Sequence, residues 1–362
     1  MSTDQRPHRL DAVRDLLARD GMDAMVVSHL PNIRYLTGFT GSSASLVISP
    51  RSVTLVTDFR YAAQAPAEVG NIAQVAIDRV NVWELLGRVL TAEVPRALGF
   101  EAAHVTVQDA ERLSGLGSFR LVPLTDTVER LRAVKSPAEV LAIRRAAELA
   151  QAALADILPG VRPGLSELDV AAALESTLRR RGSEWHPFPT IVAAGERSAL
   201  PHARSTARPI AEGDLLLLDF GAQVDGYCAD LTRVVVVGAR ADARQREVHG
   251  VVQAAQQRAI SLITAGMTGR EADALAREVI AARGFGELFG HSLGHGLGLE
   301  VHEGPRLSPT ADGLLPLHAV VTIEPGVYLP GWGGIRLEDD IYLGPDGATC
   351  LSDNRTELLE LV

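Results

Sequence analysis

Residues 215–233 have the sequence LLLLDFGAQVDGYCADLTR, and this stretch decides how the second half of the chain folds. The apolar run Leu215 to Leu218 predicts a buried strand that ends at Asp219, and Val234 to Val237 predicts another. Between the two runs lies Asp225-Gly226, a dipeptide preferred in two-residue hairpin turns because both turn positions need a positive φ. The stretch therefore predicts a β-hairpin whose turn fixes the pairing of its strands.

The pairing predicted by this turn brings two carboxylates to one face of the hairpin. Counting back from the turn places Asp219 opposite Thr232 and Asp230 opposite Gly221. Opposite residues share a face, and every second residue along a strand returns to it. Two carboxylates on one face without an Arg between them repel, so a bound cation is the simplest explanation. The alternative, two solvated Asp on an exposed hairpin, is weakened by the flanking apolar runs.

A second pair of carboxylates follows about 100 residues later in the chain. Ala319 to Ile323 predicts an apolar strand ending at Glu324, and after a Gly-rich GWGG loop the segment Ile335 to Leu337 leads to Glu338. Their separation of 14 is even, which is compatible with a second hairpin that shows both carboxylates on one face. Taken alone, Glu338 with the two Asp that follow it could be an acidic surface turn. Together with the other three carboxylates it is predicted to be a metal ligand.

Three histidines lie between these two pairs, at His291, His295 and His302, in a stretch rich in Gly. HSLGH has the i, i+4 spacing of a zinc helix but lacks its Glu, and the glycines argue against a helix. A lone buried His is usually a core residue, but three within twelve positions, plus His202 in ALPHA, make that explanation poor. We expect one of them to bind metal and the others to contact substrate. Four carboxylates and one imidazole suit Mn, Co, Fe or Mg, and two divalent ions would balance their charge of −4.

These segments resemble the pita-bread metallopeptidases, specifically the Xaa-Pro peptidase branch that contains prolidase and aminopeptidase P. The resemblance covers the whole chain, and NIRYLTGFTGSSASLVI followed by TDFRY is similar to the non-catalytic domain of this branch. The intervals match as well: 11 residues between the Asp pair, then 65 to His295, 29 to Glu324 and 14 to Glu338. The resemblance implies an α/β two-domain protein, with a creatinase-like α/β domain over residues 1–128 and a pseudo-twofold α+β pita-bread catalytic domain over residues 129–362.

The resemblance also implies a hydrolase with two divalent metal ions per chain, Mn being expected and Co or Zn being the alternatives. Asp219 would bind one ion and His295 the other, with Asp230 and Glu338 bridging. A hydroxide between the ions would attack the carbonyl carbon of an Xaa-Pro bond. Glu324, also a ligand, would move the proton to the proline nitrogen, a tertiary amide that leaves poorly until it is protonated.

Substrate contacts are likewise implied by the resemblance. Phe188 and His202 match positions that line the family's substrate pocket, and His202 and His302 would contact the substrate carbonyl and the developing oxyanion. Arg306 matches the position where prolidase-type members carry an Arg for the free carboxylate of a dipeptide, which a guanidinium binds with two hydrogen bonds. The residues expected to orient ligands and carboxylates are His291, Tyr328, Arg336 and Thr232.

Several alternatives remain open from the sequence. Arg306 could instead lie on the surface or pair with Glu303, and Arg34 and Arg60 could close the site if they reach it. We prefer a dipeptidase of the prolidase type, with aminopeptidase P acting on longer peptides as the alternative. A binding relative or a creatinase would not need all five ligands. Methionine aminopeptidase shares the ligand types, but the additional amino-terminal domain of about 125 residues in this chain fits the Xaa-Pro branch better.

Composition limits the remaining possibilities. A chain of 362 residues that is 46% hydrophobic can form two domains with sizeable cores, and its net charge of −10 argues against a nucleic-acid partner. Two cysteines fit a reducing compartment, and Cys228 is expected to face away from the Asp pair and to serve packing. The start of the chain has no apolar signal core, and no run approaches a membrane span. We expect a cytoplasmic protein and, from the resemblance alone, a homodimer.

Periodicity also predicts helices and strands outside the proposed site. In the first domain, helices are predicted from Leu10 to a stop at Gly21 and near residues 83–90 and 107–113. Strands are predicted near 24–27, 45–48, 53–57, 72–77 and 98–100. In the second domain the predicted helices are about 137–158, 166–181, 245–264 and 269–283. The order of helix pair, then hairpin, occurs twice and suggests an internal duplication that holds the metal ions between its halves.

Overall fold

The computed structural model describes residues 4–352 and 356–362. The chain falls into two units, the first ending at Arg132 and the second beginning at Ala133. The sequence prediction had placed this boundary four residues earlier, after residue 128. Each helix in the described ranges is too short or too polar to cross a membrane.

The first unit alternates helices and strands, as the sequence predicts. Its elements are α1 (Arg6–Arg19), β1 (Ala24–Val27), α2 (Leu30–Thr37), β2 (Ala44–Ile48), β3 (Val53–Asp58), α3 (Gln64–Val69), β4 (Gln74–Asp78), α4 (Val82–Glu93), β5 (Ala97–Glu101), α5 (Val107–Ser114), β6 (Arg120–Leu124) and α6 (Glu129–Arg132).

The six strands form one mixed sheet in the order β4-β3-β2-β1-β5-β6. β1 lies at its centre, antiparallel to β2 and parallel to β5, and all four of its residues are buried. Helix α4 covers the sheet with Leu86 and Leu90, which belong to one apolar cluster with Val47, Val56 and Leu98. This apolar contact is what holds a surface helix on a sheet, because helix propensity alone stabilises so short a segment weakly.

Four elements of the first unit were not predicted, namely α2, α3, β6 and α6, and two of them show the physical reason. Helix α2 is only eight residues long, but it buries Ile33, Tyr35 and Leu36, and tertiary packing compensates for its costly nucleation. Strand β6 contains Pro123, which argues against a central strand. The structure places β6 at the edge of the sheet, where proline's missing N–H leaves no partner strand unsatisfied.

The second unit begins with a helix pair and repeats the pattern. Its elements are α7 (Pro137–Ile157), α8 (Glu167–Arg180), β7 (Ile191–Ala194), β8 (Leu215–Val224), β9 (Tyr227–Val237), α9 (Ala243–Leu262), α10 (Gly269–Ala282), β10 (Gly294–Gly296), β11 (Glu303–Leu307), β12 (Val320–Ile323), β13 (Gly326–Leu329), β14 (Gly333–Arg336), β15 (Asp339–Gly344), β16 (Gly347–Cys350) and β17 (Leu359–Leu361).

The hairpin of β8 and β9 has the predicted register. Asp225 and Gly226 form the turn with φ of 52° and 82°, the left-handed values that a two-residue turn of this type requires. Asp219 pairs with Thr232, and Asp230 pairs with Gly221. Because both strands are buried along nearly their whole length, a shift of one residue would move the carboxylates to the opposite face. The hairpin joins a four-stranded sheet in the order β17-β9-β8-β7.

All four long helices of this unit start at capping boxes. The side chains of Ser136, Ser166, Asp242 and Thr268 accept from the N–H three residues on, whose own side chain binds back to the cap. Each box satisfies N–H groups that a helix start leaves unpaired. Buried alanines along α7, which share an apolar cluster with residues of β8 and β9, let this helix lie close to the hairpin. The four helix predictions are therefore confirmed to within about two residues.

The second hairpin is interrupted but keeps one register. Ile323 pairs with Asp339 in β12–β15, and Gly326 pairs with Arg336 in β13–β14. The same pairing rule sets Glu324 opposite Glu338 at the interruption between the two ladders. The even spacing therefore predicted correctly that both carboxylates face the same way. As predicted, each helix pair is followed by a hairpin that carries two carboxylates.

Candidate metal centre

The two hairpins meet at the carboxylates. An isolated bridge joins Thr232 to Glu338, and the Glu338 N–H donates to the Thr232 carbonyl at 3.2 Å. This contact brings the pair Asp219 and Asp230 beside the pair Glu324 and Glu338. Strand β10 supplies His295, whose N–H donates to Thr322 Oγ1 at 3.1 Å. The five predicted ligands thus come from two separate sheets and face one space.

That space is a cavity of about 730 Å³. Ten of the predicted site residues line it: Phe188, His202, Asp219, Asp230, His291, His295, His302, Glu324, Arg336 and Glu338. Three predicted site residues do not line it, namely Thr232, Tyr328 and Arg306. The absence of a side chain at Gly221, opposite Asp230, lets the segment of Phe188 pack closely, because a Cβ there would clash with the Ala229 carbonyl oxygen and would lie 2.7 Å from Pro187 and 3.0 Å from the Phe188 ring.

The carboxylates in this cavity are buried against one another. Asp230 and Glu338 are 5% and 2% exposed. Burial removes water from all four carboxyl groups, and this is the main reason why their pKa values are raised, that of Glu324 to about 8. Repulsion between the carboxylates raises the pKa of Asp230 and of Glu338 further. The premise that no Arg stands beside the Asp pair is wrong, because the Arg336 guanidinium donates to Asp219 Oδ2. One guanidinium cannot balance four carboxylates once all of them are ionised, as metal ligands are.

The donor atoms fit divalent cations. Asp219 Oδ1 and Asp230 Oδ1 are buried and have no hydrogen-bond partner among the described residues. His295 Nδ1 faces the Gly296 carbonyl at 3.0 Å, so Nδ1 carries the proton and Nε2 presents its lone pair. Nε2 lies 3.4 Å from Glu324 Oε1 and 3.8 Å from Asp230 Oδ2 and forms a hydrogen bond with neither, a spacing that a shared cation would explain. Within the described chain, donor atoms of Asp230, His295 and Glu338 all lie within 4.8 Å of one another.

Behind the carboxylates, buried polar side chains are connected in series. Thr232 Oγ1 donates to Glu338 Oε2 at 2.6 Å and accepts from Arg336 Nε at 3.1 Å. Arg336 Nη1 donates to Tyr328 Oη at 2.8 Å, and that hydroxyl meets His291 Nε2 at 2.8 Å. Burial raises the pKa of Tyr328 to about 12 and lowers that of His291 to about 4, so both are neutral at pH 7. This chain of contacts can orient Asp219 and Glu338.

Two charged pairs that the sequence reasoning missed hold the histidine loops. On α10, Asp273 binds Arg277 at 2.6 Å and accepts the Leu293 N–H at 3.0 Å, while Arg277 donates to the carbonyls of Phe289 and His291, both at 2.8 Å. The i, i+4 spacing of Asp273 and Arg277 was visible as a helix pair. Nothing in the sequence shows that the pair forms hydrogen bonds with the backbone of residues 289–293.

The second pair joins Glu167, fully buried at the start of α8, to Arg197 at 3.0 Å. Glu167 also accepts the N–H groups of Ala194 and Thr206, each at 2.9 Å. Arg197 Nη2 donates to the Arg204 carbonyl at 2.6 Å. These contacts fix the loop that carries His202 into the cavity wall.

Arg306 lies on β11, opposite His295 on β10, so it starts from the same face of the sheet. It is exposed, and its guanidinium has no hydrogen-bond or ion-pair partner within residues 4–352 and 356–362. The alternative pairing with Glu303 is wrong, because Glu303 binds Lys135 Nζ at 3.4 Å and the Glu300 N–H at 3.0 Å. Its positive charge contributes to a lowered pKa at both His295 and His302, secondary to burial.

Cys228 and Arg60 lie outside the proposed set of metal ligands. The prediction that Cys228 faces away from the Asp pair is wrong, since it pairs with Gln223 and the unbroken alternation returns its side chain to the face of Asp230. Cys228 is nevertheless a buried free thiol whose pKa is raised by burial, as expected of packing.

Arg60 of the first unit is held by Asp58, with Nε and Nη2 each 2.8 Å from the carboxylate.

Comparison with known proteins places this site in a family. Residues 142–345 match metallopeptidase family M24, and residues 9–134 match the creatinase/prolidase N-terminal domain. The chain belongs to metallopeptidase family M24. Its amino-terminal unit is the creatinase-like domain, and its second unit has the pita-bread fold, as the resemblance implied. The protein is therefore a metallopeptidase, of a family that uses divalent metal ions.

Individual members of the M24 family match over nearly the full length. The chain is 41% identical to an uncharacterized peptidase of Bacillus subtilis, with 98% of this chain and 100% of that protein covered. A solved Xaa-Pro dipeptidase from Bacillus anthracis superimposes with a TM-score of 0.95 at 36% identity, covering 98% of this chain and all of that one. An X-Pro aminopeptidase from Thermotoga maritima gives 0.90, also at 36% identity, covering 97% and 99%. Identity alone therefore does not separate the two activities.

Proposed function

We propose that this protein hydrolyses the bond before proline in Xaa-Pro dipeptides, using two divalent metal ions. The observation that carries the proposal is the set of four carboxylates and one histidine at the wall of a cavity of about 730 Å³, in which Asp219 Oδ1 and Asp230 Oδ1 are buried without a hydrogen-bond partner among the described residues. Relatives with the names Xaa-Pro dipeptidase and X-Pro aminopeptidase, each at 36% identity, support the choice of proline peptides.

The proposed ligands are Asp219, Asp230, His295, Glu324 and Glu338. Bound ions would polarise the scissile carbonyl and lower the pKa of a water molecule towards neutrality. Mn is the proposed metal because oxygen-rich ligands favour harder cations, with Co and Zn as alternatives. Asp230 and Glu338 would hold the bound metal together with His295, since donor atoms of these three side chains lie within 4.8 Å of one another.

The protein's own groups supply proton transfer and positioning. Glu324 is proposed to take the proton from the attacking water and pass it to the proline nitrogen, which has no N–H and leaves only when protonated. His202 and His302, both exposed to the cavity, are proposed to donate to the carbonyl oxygen as its negative charge develops. Phe188 is proposed to contact the substrate side chains, and His291, Tyr328, Arg336 and Thr232 to keep the carboxylates oriented.

The preference for dipeptides rests on Arg306. Its guanidinium is exposed beside His295 and His302 and has no partner within the described ranges, so it can take the carboxylate that a dipeptide carries next to its proline. A longer peptide has no carboxylate there. Aminopeptidase P activity is the second candidate, and a specific observation favours it: Arg306 is not part of the cavity wall.

The testing experiment measures hydrolysis of an Xaa-Pro dipeptide and an Xaa-Pro-Xaa tripeptide, with Mn and with chelator. Faster dipeptide cleavage that chelator abolishes is the expected result, whereas faster tripeptide cleavage would identify an aminopeptidase P. We expect Arg306→Ala to raise KM for dipeptides about tenfold and to spare the tripeptide, because only the dipeptide loses a charge-assisted contact. Equal effects on both substrates would contradict the role of Arg306.

Two expectations accompany this proposal. A homodimer is expected from the family resemblance, and a cytoplasmic location from the low cysteine content. A purified protein that binds no metal would contradict the peptidase mechanism and favour a binding relative of the same fold. If the protein binds metal but cuts neither peptide, the proposed metal site is supported and the proposed substrate is refuted.

A further inference from the structure

Two arginines line the metal cavity, and only one of them is engaged. Arg336 is buried and donates to Asp219, Thr232 and Tyr328. Arg204 is exposed, and its guanidinium makes no hydrogen bond or ion pair within the described part of the chain. We propose that Arg204 binds an acidic side chain of the residue before proline, so that Glu-Pro and Asp-Pro are preferred substrates. This inference rests on the proposed function.

The backbone beneath Arg204 is fixed on both sides. Its carbonyl accepts from Arg197 Nη2 at 2.6 Å, and Arg197 is anchored on the fully buried Glu167. The next residue, Ser205, accepts the Val192 N–H at 3.0 Å through its hydroxyl. Arg204 therefore starts from a fixed stretch of backbone in the cavity wall, which reduces the ordering cost of binding a ligand.

The position of Arg204 selects the side of the substrate that it can meet. Ser205 ties the Arg204 loop to β7, whose Ile191 pairs with Asp219 in the four-stranded sheet. Arg306 belongs to the other sheet, opposite His295. The carboxylate cluster lies between these two sheets. A dipeptide whose carbonyl lies at the cluster and whose carboxylate meets Arg306 directs its first residue towards the sheet of Arg204.

The chemistry of the pair favours a carboxylate over other anionic or polar groups. A guanidinium offers two parallel N–H donors that match both oxygens of a carboxylate. Four carboxylates in the same cavity would repel an acidic substrate, but bound divalent ions neutralise them and leave Arg204 and Arg306 as available positive charges. A substrate with two carboxylates, one at each end, matches these two arginines.

The test compares Glu-Pro with Gln-Pro, which have nearly the same shape and differ in charge. For the Mn-loaded protein we expect kcat/KM to be about tenfold higher for Glu-Pro, the size of one charge-assisted contact. Arg204→Gln is expected to bring this ratio to about one, and Arg204→Lys to keep part of it. Arg283→Gln, an exposed arginine at the carboxyl end of α10, is the matched control and should keep the ratio.

Three results would overturn the proposal. The first is a Glu-Pro to Gln-Pro ratio near one in the unmodified protein, and the second is a ratio that Arg204→Gln leaves unchanged. The third is that Arg204→Gln raises KM equally for Ala-Pro, Gln-Pro and Glu-Pro, because Arg204 would then bind the carboxyl terminus that all three peptides share. Calorimetric measurement of the binding of the same peptides separates failure of this proposal from failure of the proposed function. If no dipeptide is cut, a binding preference for Glu-Pro that Arg204→Gln removes still supports the role of Arg204, and equal binding refutes it.

Discussion

At the scale of single residues, Thr232 shows how one hydroxyl can serve two charged groups. It donates to Glu338 and accepts from Arg336 while fully buried. Thr232→Val keeps the shape but leaves both charged partners short of a hydrogen bond. We expect the free energy of unfolding of the metal-free protein to fall by about 1–3 kcal/mol, measured by urea denaturation.

The matched control for this change is Thr190→Val. Thr190 is also buried, but its hydroxyl has no hydrogen-bond partner among the described residues. Removing an unsatisfied hydroxyl should therefore cost little or should stabilise the protein slightly. Equal losses of stability in the two variants would show that the lost hydrogen bonds of Thr232 are not the cause.

At the scale of elements, helix α10 positions the loop between itself and β10. Asp273 and Arg277 bind three backbone groups of residues 289–293, and His295 follows directly on β10. We expect Asp273→Asn to weaken metal binding about tenfold, because changes behind a metal ligand typically cost between tenfold and a hundredfold. Calorimetric titration with Mn measures this, and hydrogen exchange at the Leu293 amide should rise in parallel.

Helix α4 offers a control with the same spacing. Glu84 and Arg88 are also i, i+4 and lie 3.0 Å apart, but both are exposed. Glu84→Gln should change stability by less than about 0.5 kcal/mol and leave metal binding as it was. If Asp273→Asn speeds amide exchange at Leu293 without weakening metal binding, the loop does not need this clamp to hold His295.

At the scale of the whole molecule, His249 makes folding stability depend on pH. It is buried on α9, and burial lowers its pKa to about 4 from its ordinary 6.5, despite a backbone hydrogen bond with Thr356. Between these two values the unfolded chain binds a proton that the folded chain does not, so stability falls as pH falls from 6.5 towards 4. From pH 7.5 to pH 5 the loss due to this residue is about 2 kcal/mol.

Urea unfolding at several pH values, with chelator present throughout, measures this dependence. His249→Phe removes the titrating group, so its stability should fall less steeply than that of the unmodified protein between pH 6.5 and 5. The difference between the two slopes is the quantity to compare, because carboxylates elsewhere titrate in both proteins. Parallel curves would mean that His249 takes up its proton equally in the folded and unfolded states.

Prediction from the sequence succeeded where the information is local. Asp225-Gly226 set the register of β8 and β9, since only a turn with two positive φ values fits there. The even spacing of Glu324 and Glu338 gave the correct face. Prediction failed at α2, whose helix depends on burial, and at β6, whose Pro123 is tolerated only because the strand lies at the edge.

By itself the sequence determined two hairpins, four long helices and an ordered set of acids and histidines, because periodicity, turn chemistry and spacing act over a few residues. Only the tertiary structure decided which groups meet across distance. The bridge from Thr232 to Glu338, the contact of Arg336 with Asp219 and the grip of Asp273 on Leu293 join residues far apart in the chain. Such contacts depend on how sheets and helices pack, and packing is a property of the folded chain as a whole.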